Sequence, residues 1–352
     1  MTKKSLSFLK SLIEAPSPSG FEQPAQKVWR KNVGPYADRI ETDMHGNCIG
    51  IKNEGGSPRV LLAGHCDELG FMVQYITDEG FLHFRTIGGF DVNIIPGRRV
   101  HVHTKNGPIL GVTGKKAIHV MTDEERKKKS EIHDLWIDIG VKDKKEAESL
   151  VSVGDPVTYT VAFEKMRRDL AVSRAFDDKA GSFAVGEVLR MLSGKSFKAA
   201  VYSVSTVQEE VGLRGAHTSA YGVDPKVGIA VDVTHATDHP DMDKKRVGDI
   251  KLGAGPAISR GANINPVVER MLIQTAEEEK IPYQIEAAPR GTGTDANAIQ
   301  LTRAGVATGL VSIPLRYMHT AVETLSLKDV ENVTKLLTAF VLRVDDSVDF
   351  TP

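Results

Sequence analysis

The feature that most limits the possible folds is a change of texture partway along the chain. Up to Glu68, and again after Arg174, buried-looking apolar runs alternate with segments of helical spacing. Between Phe71 and Val172 the apolar runs are short, turn-rich and strand-like. Strands alternating with helices predict an α/β fold, and a run of short strands without strong helices predicts a separate β unit. The expected architecture is one α/β domain built from residues 1–68 and 170–352, with a small β-rich domain inserted at 69–169. A chain of 352 residues is long enough for both.

Local signals fill in this outline. Leu6, Leu9, Leu12 and Ile13 follow helical spacing, and Pro16 and Pro18 stop that helix near Glu14. Ser19-Gly-Phe-Glu22 reads as a capping box opening a second helix, which carries Phe21, Ala25, Val28 and Trp29 inward and stops near Gly34. Strands are predicted at 39–42, 48–52 and 59–63. In the middle stretch they are predicted at 71–76, 81–87, 99–103, 109–112, 135–139 and 157–163, with weak charged helices at 123–129 and 144–151. Beyond it, helices are predicted at 179–192, 266–279 and 327–341, and buried strands at 198–207, 226–232, 283–287 and 306–313.

Composition excludes several classes of function. Lys plus Arg is 45 and Asp plus Glu is 46, so no global field draws nucleic acid or an anionic membrane. The basic run Arg126 to Lys129 reads as a solvated helix face. No apolar run approaches the roughly 18 residues of a membrane span, and Lys10 interrupts the first apolar stretch, so no signal peptide is expected. Two cysteines, Cys48 and Cys66, form no disulfide framework and fit a reducing cytosol.

Candidate chemistry gathers where the predicted strands end. One strand ends at His65, another at Asp232, and a third runs into Glu209 and Glu210; the run ending at Ile313 leads to His319, and Asp177 sits at a helix entrance. In open α/β sheets, sites form outside the carboxyl ends of strands. Singly, each residue has an ordinary explanation as a helix cap or a surface group. Together, His65, Asp177, Glu210, Asp232 and His319 are suitable ligands for zinc or a similar ion. Three carboxylates brought together need a cation or a proton. Two divalent ions bring four positive charges against three negative, and one hydroxide restores neutrality, so the count favours two metals over one. Asp67, two residues past His65, is placed to hold the non-ligating nitrogen of that ring, while Cys66 points to the other face.

The segments Gly64-His-Cys-Asp-Glu-Leu-Gly70, Ala175-Phe-Asp-Asp-Lys-Ala-Gly181, Thr206-Val-Gln-Glu-Glu-Val-Gly-Leu-Arg-Gly215, Val231-Asp-Val233, Gly291-Thr-Gly-Thr-Asp295 and Arg316-Tyr-Met-His-Thr320 together resemble the TET-type metallo-aminopeptidases. These are also described as glutamyl or deblocking aminopeptidases and sometimes labelled endoglucanases. The resemblance spans most of the chain in the family's order. It implies a mixed-sheet, zinc-peptidase-like catalytic domain with a barrel-like insertion. It also implies two divalent ions (zinc, with cobalt or manganese also suited), bridged by Asp177. His65 and Asp232 would complete one site, and Glu210 and His319 the other. Glu209 would be the general base for a metal-activated water that hydrolyses N-terminal residues from short peptides. Self-association through the insertion to a dimer, and on to a tetrahedral dodecamer, in the cytoplasm, is implied as well. Asp178 departs from the amide common in relatives.

Three rivals compete with this reading. A glycosidase would use Glu209 and Glu210 as an acid/base pair, but its carboxyls must flank a bond roughly 5–9.5 Å apart, and aromatic residues for stacking sugars are only 6% of the chain. A non-catalytic assembly protein has no need of both the ligands and Glu209. A carboxypeptidase or deacylase on the same fold would share the cluster. Other candidates take plainer roles: His101 and His103 have no acidic partner, and His235 and His239 belong to a polar loop. Asp295 either orients substrate or caps a helix, and Arg290 and Arg316 could shape a side-chain pocket, including one for acidic residues.

Overall fold

A computed structural model describes all 352 residues. Along the chain come α1 (Lys3–Glu14), α2 (Gln23–Val33), β1 (Arg39–Thr42), β2 (Cys48–Lys52) and β3 (Arg59–His65). Then follow β4 (Gly70–Ile76), β5 (Leu82–Ile87), β6 (Arg99–Thr104), β7 (Gly107–Gly114), α3 (Asp123–Lys127), β8 (Trp136–Asp138), α4 (Lys144–Leu150) and β9 (Pro156–Tyr159). The remainder is β10 (Glu164–Lys165), β11 (Leu170–Ser173), α5 (Phe176–Leu192), β12 (Ala200–Thr206), α6 (Arg214–Val223), β13 (Val227–His235), α7 (Lys244–Val247), β14 (Ala257–Gly261), α8 (Pro266–Glu278), β15 (Gln284–Ala288), α9 (Asp295–Gln300), β16 (Ala307–Arg316), β17 (Glu323–Ser326) and α10 (Leu327–Arg343). No helix is long and apolar enough to cross a membrane.

The strands form two bodies. Eleven build one mixed sheet, ordered β1-β2-β12-β3-β13-β16-β17-β11-β10, with β14 joining β16 and β15 joining β14. The other six, β4-β5-β8-β7-β6-β9, close into an antiparallel barrel around Phe71, Phe84, Val100, Ile137 and Val157. The centre of the large sheet, β12-β3-β13-β16, is parallel. Its strands therefore deliver their carboxyl ends to one edge. Parallel strands need both faces covered, and alternation along β3 serves both: Val60 and Leu62 enter the core under α5 and α10, while Leu61 and Ala63 enter the core under α6 and α9. Continuing that alternation puts His65 on the α6/α9 side. Cys66 joins Val60 and Leu62 on the other face, as the sequence led us to expect.

The helix α5 lies almost entirely buried along the sheet centre. It fits there because Gly64 on β3 meets Gly181 on α5; a Cβ on Gly64 would stand 2.5 Å from the Gly181 carbonyl carbon. The start of α5 and the end of β3 are thereby brought together, which fixes Asp177 near His65.

Several sequence expectations need correction. Ser19 and Glu22 form no capping box. The Ser19 hydroxyl donates to Asp67 at 2.6 Å, and the Glu22 carboxylate accepts the N–H of Gly20 at 2.6 Å and of Gln208 at 3.2 Å. Long-range partners win over the local motif. The strand at β15 is not buried: Ile285 is exposed, and the strand sits at the sheet's margin. The strand expected through residue 163 ends at Tyr159, and α6, α7, β10, β11, β14 and β17 form where the sequence pattern predicts no element.

Candidate active site

Six of the candidate residues, His65, Asp177, Glu209, Glu210, Asp232 and His319, lie together at the carboxyl edge of the parallel strands. The registers explain why. Thr206 at the end of β12 lies opposite His65 at the end of β3, so Glu209 and Glu210 follow immediately beside it. On the other flank Ala230 lies opposite Ala63, and two residues further come Asp232 and His65. Asp232 lies opposite Ser312 of β16, whose chain continues to His319.

Asp177 is the centre of the group. Its Oδ1 is 3.3 Å from Nε2 of His65, and its Oδ2 is 3.2 Å from Nε2 of His319. Each carboxylate oxygen therefore faces a different imidazole. Oε2 of Glu210 lies 3.7 Å from His319 Nε2, and Oε2 of Glu209 lies 3.9 Å from His65 Nε2. Donor atoms of His65, Asp177 and Glu210 fall within 4.8 Å of one another, and so do those of His65, Asp178 and Asp232.

Asp67 faces His65 and also the turn that carries the two glutamates. Nδ1 of His65 is nearest the Asp67 main-chain oxygen, at 3.1 Å, with the carboxylate at 3.4 Å. That carboxylate also accepts the N–H groups of Glu209 at 3.0 Å and Glu210 at 3.2 Å, and the Ser19 hydroxyl. It clamps the turn that carries both glutamates. Gln208, just before them, has φ 55°, and His319 has φ 61°. Left-handed non-glycine residues cost on the order of 1–3 kcal/mol and gather where a side chain must be aimed.

Three residues that the sequence left unassigned also belong here. Glu323, at the start of β17, accepts the N–H of Asp177 and the N–H of His319, both at 3.0 Å. Asp178 accepts the N–H of His65 at 3.2 Å and of Gly181 at 3.0 Å. Glu286 stands in the wall of the adjoining cleft. For Glu286 the only sequence signal is an acidic residue inside the strand predicted at 283–287. Asp295 accepts the Thr206 hydroxyl at 2.6 Å, and Thr294, not Asp295, is the N-cap of α9. His235 and Arg290 line the cleft, whereas Arg316 is tied to Asp238 at 2.8 Å. His239 lies against Tyr317, and His103 bonds the Thr158 hydroxyl at 2.8 Å on the outer face of the barrel, opposite the core residues Val100, Val102 and Val157.

The electrostatics show a cluster short of positive charge. Burial, reinforced by Asp232, Asp295 and Glu210, pushes Glu209 up to about 11. Burial and then Asp177 push Glu210 to about 8, and the same two causes take Asp232 to about 8. Burial and Asp232 hold Asp178 well above its usual range. Burial also opposes ionisation of Asp177, yet hydrogen bonds from His319 and His65 keep its pKa low. The bond to Asp177 lifts His319 to about 9. Two imidazoles cannot neutralise five carboxylates, and Oε1 of Glu210 is buried with no partner. Imidazole and carboxylate donors with unspent lone pairs in a buried group fit divalent cations of the zinc type. A cleft of about 400 Å³ opens beside the cluster, large enough for a short peptide's end residue.

Comparison with known proteins agrees with the geometry. The profile of the family described as M42 glutamyl aminopeptidase matches residues 46–336. The chain is 34% identical to a lysyl aminopeptidase of Pyrococcus furiosus over 98% of both chains. It is 37% identical to a putative aminopeptidase of Acetivibrio thermocellus, over 91% of this chain and 93% of that one. Among solved structures, a TET aminopeptidase from a marine sediment Thaumarchaeota archaeon superposes with a TM-score of 0.94 at 38% identity, covering 98% and 97% of the two chains. The TET1 peptidase of Pyrococcus horikoshii, which can assemble into a tetrahedron or a large octahedral shell, gives 0.86 at 33% identity, covering 97% and 100%.

Proposed function

The chain belongs to the M42 glutamyl aminopeptidase family and is an aminopeptidase; from that premise we propose that it hydrolyses N-terminal residues from short peptides with two divalent metal ions and Glu209 as general base. The observation that best supports two ions is Asp177, whose two oxygens face His65 and His319 separately at 3.3 and 3.2 Å. His65 and Asp232 would hold one ion, Glu210 and His319 the other, with Asp177 shared. Zinc suits this donor set best; cobalt and manganese also suit it. Such ions, when bound, supply Lewis acidity toward the scissile carbonyl and toward water.

The chain's own groups do the rest. Glu209 is buried beside His65, and a carboxylate raised by burial is a strong proton acceptor once ionised. It takes the proton from the attacking water and returns it to the leaving amine. Asp67, through the backbone N–H groups of Glu209 and Glu210, keeps the base and its neighbouring ligand in register. Glu323 does the same for Asp177 and His319. Glu209 and Glu210 are adjacent on one turn, a poor arrangement for two acids that must flank a glycosidic bond.

We assign catalysis to residues 1–68 and 170–352 and self-association to the β-rich segment 69–169. A dimer and then a tetrahedral dodecamer is the assembly proposed, by analogy with the TET relatives. A cytoplasmic setting suits the two free, buried thiols of Cys48 and Cys66. The decisive experiment assays aminoacyl anilides and a β-glucan with wild type and Glu209→Gln. Wild type should cleave the anilides alone, and the variant should lose about 10²–10⁴-fold in kcat with metal content unchanged. A variant within tenfold of wild type would remove Glu209 as the base, and β-glucan hydrolysis would remove the aminopeptidase reading.

A further inference from the structure

One wall of the cleft carries a charge that the cluster does not use. Glu286, on β15, is half-buried and lines the cleft together with Thr234 and Ser259. The Thr234 hydroxyl donates to its Oε1, and the Ser259 hydroxyl reaches its Oε2 at 3.4 Å. No lysine, arginine or histidine pairs with it. An ionised carboxylate has about four lone-pair sites, so each oxygen keeps capacity for a further donor. The two hydroxyls come from buried residues, so the carboxylate is already oriented.

Its position relative to the cluster is fixed by β13. Asp232 and Thr234 are two residues apart on the same strand face, roughly 6.6 Å along the strand. The carboxylate held by Thr234 is therefore about one long side chain away from the reacting end of the cluster. A lysine carries a point charge with three donors on a four-carbon stem, and an arginine a planar fork. Leu310 and Met318 line the same cleft and give an apolar path for such a stem.

Arg290 lines the cleft as well and would favour the opposite charge. It is exposed and makes no ion pair or hydrogen bond with another side chain. Ordering a free arginine costs side-chain entropy that Glu286 has already surrendered. The carboxylate is the better-prepared of the two.

We propose that Glu286 is the specificity-determining residue of the cleft and selects peptides whose N-terminal residue is lysine or arginine. This rests on the aminopeptidase reading above. The test measures kcat/KM for Lys, Arg, Leu and Glu anilides on the metal-loaded wild type, Glu286→Gln and Arg290→Ala. Wild type should favour Lys and Arg. Glu286→Gln should lower the Lys-to-Leu ratio by about 10- to 100-fold, the range for a lost hydrogen bond to a charged group, chiefly through KM. Arg290→Ala should leave that ratio alone. A second variant, Glu286→Arg, should move the preference toward Glu, which separates a charge effect from local misfolding. A wild-type preference for Glu that Arg290→Ala abolishes, a preference for Leu, or an equal loss on all four substrates in Glu286→Gln would overturn the assignment. Failure of wild type to cleave any of the four would instead overturn the aminopeptidase reading.

Discussion

Asp67 and Glu68 are neighbours, yet they serve two buried charge clusters of opposite character. Glu68 is met by Lys179 at 2.8 Å and by Arg174, and also accepts the N–H of Ser17 at 2.9 Å. Lys179 donates in addition to the carbonyl of Ala15 at 2.6 Å. Burial works against the Glu68 charge, but Arg174 and Lys179 still bring it down to about 2. On the Asp67 side, five carboxylates face two imidazoles, and burial takes Glu210 and Asp232 up to about 8. One cluster is closed, with its countercharges built into the chain. The other is open, with no lysine or arginine supplying its countercharge.

The sharpest way to break this contrast is to remove one carboxylate from each cluster in metal-stripped protein. Glu68→Gln leaves Arg174 and Lys179 without their counterion and should cost about 3–5 kcal/mol in denaturant unfolding. Glu210→Gln removes a repelling charge and should be neutral or stabilising under the same conditions. Equal losses would erase the distinction.

A smaller effect sharpens it through pH. Glu210 and Asp232 have raised folded values, so their contribution to stability is full below their unfolded values of 4.5 and 3.8 and is lost as pH rises through about 8. Glu68 has a lowered value, so its contribution is present above 4.5 and lost as pH falls through about 2. The melting temperature of the metal-free protein should therefore fall between pH 5 and 9, and Asp232→Asn should flatten that slope. A level profile in the metal-free wild type would contradict the crowding of carboxylates.

The open cluster was more legible in the sequence than the closed one. Strand ends are visible as apolar runs that stop, and His65, Glu210, Asp232 and His319 each stand at such a stop or just beyond it, while Asp177 stands at a helix entrance. Their common location follows from parallel strands, which a βα alternation already implies. The Glu68–Arg174–Lys179 network has no local signature, because its members are joined only by the packing of α5 on β3. Glu323 was hidden for the same reason: it holds two backbone N–H groups that come from separate segments. The Ser19–Glu22 motif misled because a local capping pattern cannot reveal that Asp67 and Gln208 compete for the same side chains. Helix α6 starts at Arg214, close behind the acidic pair Glu209 and Glu210, where Leu213 turns the chain with φ 57°.

Two cations shared through Asp177 are what the open cluster is proposed to hold. Metal content per chain, measured by elemental analysis on wild type and Asp177→Asn after stripping and reloading with zinc, addresses this most directly. Two ions per chain in wild type, with both occupancy and anilide hydrolysis lost in Asp177→Asn, is the predicted result. Full hydrolysis by metal-stripped wild type, or by protein carrying a single ion, would contradict it.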